Sequence, residues 1–107
     1  MGVPERTQRR AALRTALATV ADAGHGYSVF NLVEGPGRSG HWADVTSALG
    51  QAARNPRHGA EVREAFAVIA TASATEDLRD PLMSWVPPAA RAGAPFDDGA
   101  DEARGEG

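Results

Sequence analysis

Apolar positions recur at helical spacing through most of this chain. The most regular stretch is 58–73, where Val62, Phe66, Ile69 and Ser73 share a face with Ala65 and Ala72 beside them, and Arg63, Glu64 and Thr71 fall elsewhere. Asn55-Pro56 just ahead predicts an N-cap followed by proline at the first helical position. Glu61 and Glu64 near that start suit the positive end of the helix dipole. An earlier helix is predicted over 4–22, with Leu13, Leu17 and Val20 as a narrow stripe bordered by Ala16 and Ala21. A further one spans 41–54, where Trp42, Val45, Leu49 and Ala52 (with Thr46 and Ala53) oppose Asp44, Ser47, Gln51 and Arg54. After a start at Thr75-Glu76-Asp77, Leu78, Leu82 and Trp85 keep helical spacing across Asp80-Pro81, so a kink or two short turns is expected. Pro87-Pro88 ends the pattern, and Trp85 reads as a plug on the core.

Between the first two helices the pattern changes. Gly24-His25-Gly26 predicts a helix stop. Tyr27 to Val33 has the strongest strand propensity in the chain, but a lone strand leaves its backbone unpaired. A short helix or a buried extended linker is therefore expected there, followed by a glycine-rich turn from Glu34 to Gly40. Residues 89–107 are rich in Ala, Gly, Pro and acids, with Phe96 their only large apolar side chain. Burial there cannot offset the entropy of ordering, which predicts a disordered acidic tail. The expected fold is mainly α: a small bundle of three to four helices over a single domain at 1–88, with an irregular 23–40 segment and that tail.

Composition narrows the function classes. A chain of 107 residues without cysteine has no thiolate chemistry, disulfide or cysteine-ligated metal. No run of eighteen apolar residues is present, so no membrane span is expected, and a soluble cytoplasmic protein is the default. The formal net charge of −3 speaks against a surface built throughout for nucleic acid. Arginine without lysine, beside much alanine and glycine, reads as the codon usage of a GC-rich genome. Alanine at many apolar positions buries little area each, so a protein partner or self-association is expected to help.

Two groups of residues are candidates for anion contact. On the first helix Arg6, Arg10 and Arg14 follow one another at i, i+4 and Arg9 lies near the other flank, although cations in the first turns oppose the dipole. The plain reading is a solvated flank paired with acids; the functional one is an anion or nucleic-acid surface. Gly35-Pro36-Gly37-Arg38-Ser39-Gly40 matches G-x-G-x-x-G, but no second strand follows and the chain is too short for that dinucleotide fold. A simpler loop site, with Gly37, Arg38, Ser39, Gly40 and His41 around an anion at a helix start, competes with an ordinary loop whose Ser39 or Gly40 is an N-cap. His41 and Asp44 at i, i+3 offer two metal ligands and no third, so no metal and no cofactor are expected. The helices at 41–54 and 60–73 invite a helix-turn-helix reading, but their connection is long and Glu61 and Glu64 would meet the DNA.

The sequence thus leads to an expectation of a small non-catalytic intracellular binding or regulatory module presenting a helical surface to a protein partner. One alternative is a nucleic-acid-binding regulator using the arginines of the first helix. Another is an enzyme or small-ligand protein using the Gly35–Gly40 loop.

Overall fold

A computed structural model of the chain describes residues 5–88, and the acidic tail expected at 89–107 lies outside them. The elements are α1 (Glu5–Asp22), α2 (Gly26–Leu32), a π-helical turn (Val33–Gly37), α3 (Trp42–Ala53), α4 (Ala60–Ser73) and α5 (Glu76–Ser84), with no strand among the described residues. The mainly α bundle is as the periodicity predicts. The segment expected to be irregular adds a fifth short helix, because Val29 and Val33 stand one turn apart and both are buried.

Helix α4 is the centre, with α1 and α3 against it and α5 at its C-terminal end. It buries Ala65, Phe66, Ile69, Ala70, Ala72 and Ser73, a wider arc than a single stripe, because neighbours approach from two sides. Facing it are Leu13, Ala16, Leu17 and Val20 of α1, Val45 and Leu49 of α3, and Leu78 and Leu82 of α5. Ser73 is fully buried and still satisfied. Its hydroxyl donates to the Ala70 carbonyl at 2.7 Å, and the Thr46 hydroxyl of α3 donates to Ser73 Oγ at 2.6 Å.

Helix boundaries depart from the sequence expectation at three places. Helix α4 begins at Ala60, not at Pro56; Gly59 is its N-cap, in extended backbone, and the Gly59 carbonyl accepts from the Arg63 amide. Asn55 instead folds back locally, its Oδ1 accepting from the Arg57 amide at 2.9 Å, so the asparagine holds a turn of the linker. Helix α5 runs through Pro81 as one element. At that end of the bundle Trp85 is half-buried, whereas Pro87 is fully enclosed, packed so closely on Gly26 that a Cβ there would meet it at 3.3 Å. Pro87 is the plug.

Two helix ends use one device. After α1, the His25 amide reaches the Val20 carbonyl at 2.8 Å and the Gly24 amide reaches Ala21 at 3.0 Å, with Gly24 at φ +90°. After the π-helical turn, the His41 amide reaches Pro36 at 2.8 Å and the Gly40 amide reaches Gly37 at 3.0 Å, with Gly40 at φ +88°. Both are the paired six-to-one and five-to-two bonds of a Schellman stop, which needs a left-handed residue. Pro36 explains the π register before the second stop. Its ring has no N–H to donate and crowds the carbonyl four residues back, so the turn widens, with the Arg38 amide reaching Val33 at 2.9 Å.

Truncating Ile69 to alanine removes the side chain at the centre of the core and is expected to destabilise the domain by roughly 3 kcal/mol. Chemical denaturation followed by circular dichroism measures this, and a loss well under 1 kcal/mol would contradict the central place given to α4. Gly40→Ala forces an L-residue to φ +88° and should cost about 1 kcal/mol. Gly35→Ala, in open space and without a positive φ, should be neutral or slightly stabilising. Equal effects of the two would mean that Gly40 is not a helix stop.

Candidate functional site

The four arginines of α1 separate into two pairs in space. Arg6 Nε lies 3.8 Å and Arg9 Nη2 3.4 Å from Asp77 Oδ2, in the first turn of α5, where the dipole favours an acid. All three side chains are well exposed, so these pairs contribute a few tenths of a kcal/mol at most. Arg10 and Arg14 have no ion pair or hydrogen bond among the described residues. The i, i+4 grouping of Arg6 with Arg10 and Arg14 therefore gives way to a pairing of Arg6 with Arg9, set by where Asp77 stands.

Arg10 and Arg14 flank a cleft of about 510 Å³ between α1 and α5. Leu13 and Leu17 of α1 close its base from within the core, where both are buried, and Asp80, Pro81, Ser84 and Trp85 line the opposite wall. Arg9 stands beside Asp77, Leu13 shares the cleft with Pro81, and Ala21 lies near Pro87, so α1 and α5 run side by side in the same direction. The seam stays open because α5 packs chiefly on α4 and the π-helical turn and meets α1 at its first turn, through Asp77 with Arg6 and Arg9. Its surface combines an apolar interior, a half-buried indole, two fixed positive charges and one carboxylate. Such a surface can bind an anion beside an apolar group. Its single hydroxyl, Ser84, has no histidine in the cleft to act as a base, and arginine stays protonated.

The glycine-rich loop is differently employed. The amides of Arg38, Ser39, Gly40 and His41 all donate to carbonyls of residues 33–37, in the helix stop described above. Arg38 is divided between two partners, its Nε donating to Glu34 Oε1 at 3.0 Å and its Nη2 to the Met83 carbonyl at 3.0 Å. Gly37 lets the Trp42 ring approach, since a Cβ there would meet it at 3.2 Å. Over that ring, at 5.2 Å, lies the Arg79 guanidinium, whose Nε donates to the Ser73 carbonyl at 3.0 Å. Gly37, Arg38, Ser39, Gly40 and His41 are thus brought together, and most of their donors are occupied with holding the fold. The N-cap of α3 is His41, not Ser39 or Gly40.

One cluster has no counterpart in the sequence reading. His25, from the stop after α1, and His58, from the linker before α4, meet edge to face with centroids 4.7 Å apart, and His58 also stands 5.4 Å from Phe66. His58 therefore precedes α4 instead of lying on its apolar face, yet reaches that face through Phe66. Nothing in the spacing of the two histidines announces this, because they come from different connections. No group of three metal-ligating side chains occurs among the described residues, and His41 with Asp44 acquires no third partner. Nor is any described helix long and apolar enough to cross a membrane.

Trp85 packs against the core, as the sequence predicts, and its uncovered part lines the cleft. Its offset of three residues from Leu82 fits the apolar stripe, and only the position of α1 shows that part of the indole faces outward. The chain matches no protein-family model, and no curated protein or solved structure matches it significantly.

Proposed function

We propose that this protein is a non-catalytic binding module whose α1–α5 face receives a protein segment carrying carboxylates next to an aromatic or branched apolar side chain. The observation that carries this reading is the cleft itself: Arg10 and Arg14, without an ion pair among the described residues, stand opposite the half-buried Pro81 and Trp85. Guanidinium groups suit carboxylates through paired N–H donors, and arginine and tryptophan are the residues that most often dominate binding energy at interfaces. A volume of about 510 Å³ accommodates one or two side chains of such a segment.

A protein partner is favoured over nucleic acid by the distribution of charge. Arginines and acids balance one for one over residues 1–88, so the domain has no excess of positive charge to offer a polyanion. Arg6 and Arg9 are engaged with Asp77, and Asp80 stands in the cleft wall. Two remaining arginines would neutralise about two phosphates, a small share of what a nucleic-acid surface uses. On α4 the exposed Glu61 and Glu64 would repel a DNA backbone from the helix that a helix-turn-helix would insert.

Titration of ¹⁵N-labelled protein with a ten-residue synthetic peptide of aspartate, phenylalanine and glycine tests the reading. The Arg10 and Arg14 amides and the Trp85 indole signal should move, and Arg10→Gln with Arg14→Gln should weaken binding tenfold or more. A control peptide with asparagine for aspartate should bind far more weakly. No movement at millimolar peptide, or tighter salt-sensitive binding of a twelve-nucleotide single strand at the same residues, would reject the proposal.

A further inference from the structure

We propose that the segment Phe96-Asp97-Asp98 of the same chain occupies the α1–α5 cleft when no partner is present, so that the tail competes for the site. The proposal rests on the binding-module reading and adds the regulator of that site. Because residues 1–88 are neutral overall, the whole formal net charge of −3 belongs to residues 89–107. Within them Phe96 is the only large apolar side chain, and two carboxylates follow it directly. An aromatic group with two adjacent acids is the ligand chemistry that the cleft selects, with the half-buried Pro81 and Trp85 for the ring and Arg10 and Arg14 for the carboxylates. Asp80 on the opposite wall repels those carboxylates and so turns them towards α1.

The chain also leaves the domain at a suitable place. Pro87 is fixed against Gly26, and Pro88 lies with Ala21, Asp22 and Tyr27 at the C-terminal end of α1. Arg14 precedes Ala21 by seven residues, about 10 Å at the rise of a helix. Nine residues separate Pro87 from Phe96, enough for about 30 Å of extended chain. The return to the cleft therefore needs no strain. A short tether of this kind gives an effective concentration in the millimolar range, so a contact of only millimolar affinity between separate molecules is still substantially formed.

The test compares the full-length protein with its full-length variant Phe96→Ala, Asp97→Asn, Asp98→Asn in ¹H–¹⁵N spectra. The proposal expects the amides of Leu13, Arg14 and Leu17 and the Trp85 indole to shift between the two. It further expects a peptide of residues 93–101, added to the variant, to move those signals back. The aspartate–phenylalanine peptide should bind the variant about threefold or more tightly than the wild type. Superimposable spectra at the cleft, with the synthetic peptide still binding both proteins equally, would overturn tail occupancy and leave the binding module standing. Tail-dependent shifts without any binding of the synthetic peptide would support tail occupancy and reject the partner reading. Failure of both the tail peptide and the synthetic peptide would reject both.

Discussion

Helix α4 is pressed from two sides at once, and the rest of the molecule follows from how it tolerates this. A helix with one neighbour can bury a stripe of large side chains; one flanked by α1 and α3 must keep part of its circumference small. Ala65, Ala70, Ala72 and Ser73 meet that need, while Phe66 and Ile69 fill the space between the neighbours. Close approach brings Thr46 within a hydrogen bond of Ser73, so the polar atom that a small residue introduces is satisfied across the interface. With α1 and α3 both committed to α4, little is left for α5 to pack on except the end of that helix. The open seam beside α1 is a consequence of that economy.

Leu78 and Leu82 seat α5 in the core, and arginines tie the helix ends around it. The C-terminal carbonyls of helices lack internal partners and carry the negative end of the dipole, so a guanidinium is well matched to them. Arg79 takes the Ser73 carbonyl at the end of α4 and stacks on Trp42 of α3. Arg38 takes the Met83 carbonyl at the end of α5 while paired with Glu34 one turn back. These are tethers between elements, and their side chains cannot serve an incoming anion without releasing the fold. Among the described residues Arg10 and Arg14, in the middle of α1, have neither a helix-end carbonyl nor an acid within ion-pair distance. The same residue type is thus structural or available according to which backbone it stands beside. Arg63 is a third case, with a buried Nε that has no partner among the described residues; we have no physical account of it.

The extent to which the sequence revealed this depends on the range of the determining contacts. Periodicity locates α1, α3, α4 and α5 because apolar positions recur at helical spacing at least three times in each pattern. Starts and stops were harder. Asn55-Pro56 carries a sound local start signal, but the same asparagine can close a turn, and tertiary packing of Phe66 and Ile69 brings the helix in four residues later. Tyr27 to Val33 has strand-like composition, and its helical state is decided by Val29 and Val33 reaching one core together. Gly24-His25 and Gly40-His41 are the same dipeptide in the same conformation; the first was recognised as a stop, whereas the second was hidden inside a pattern associated with phosphate binding. Pro36 was the available correction, since its widened turn consumes the amides that such a site would need. For the cleft, the spacing of Arg10 and Arg14 is legible, but its opposite wall is not, because which residues of α5 face α1 is set by how each packs on α4.

An open seam in so small a domain links binding to stability. Total stability for a domain of this size is about 5–10 kcal/mol, and Pro81 and Trp85 are left only partly covered at the seam. An aromatic group seated there buries roughly 150–250 Å² of its own surface, a gross gain of about 4–6 kcal/mol before the entropy of ordering. Even a small net remainder is a noticeable fraction of what keeps the bundle folded. Whatever fills the cleft therefore also fastens α5 to α1, the contact that the three-way packing of α4 leaves unmade. The lean alanine core and the two arginines without an ion pair among the described residues are then two sides of one arrangement, in which the packing of α4 leaves the α1–α5 seam partly open.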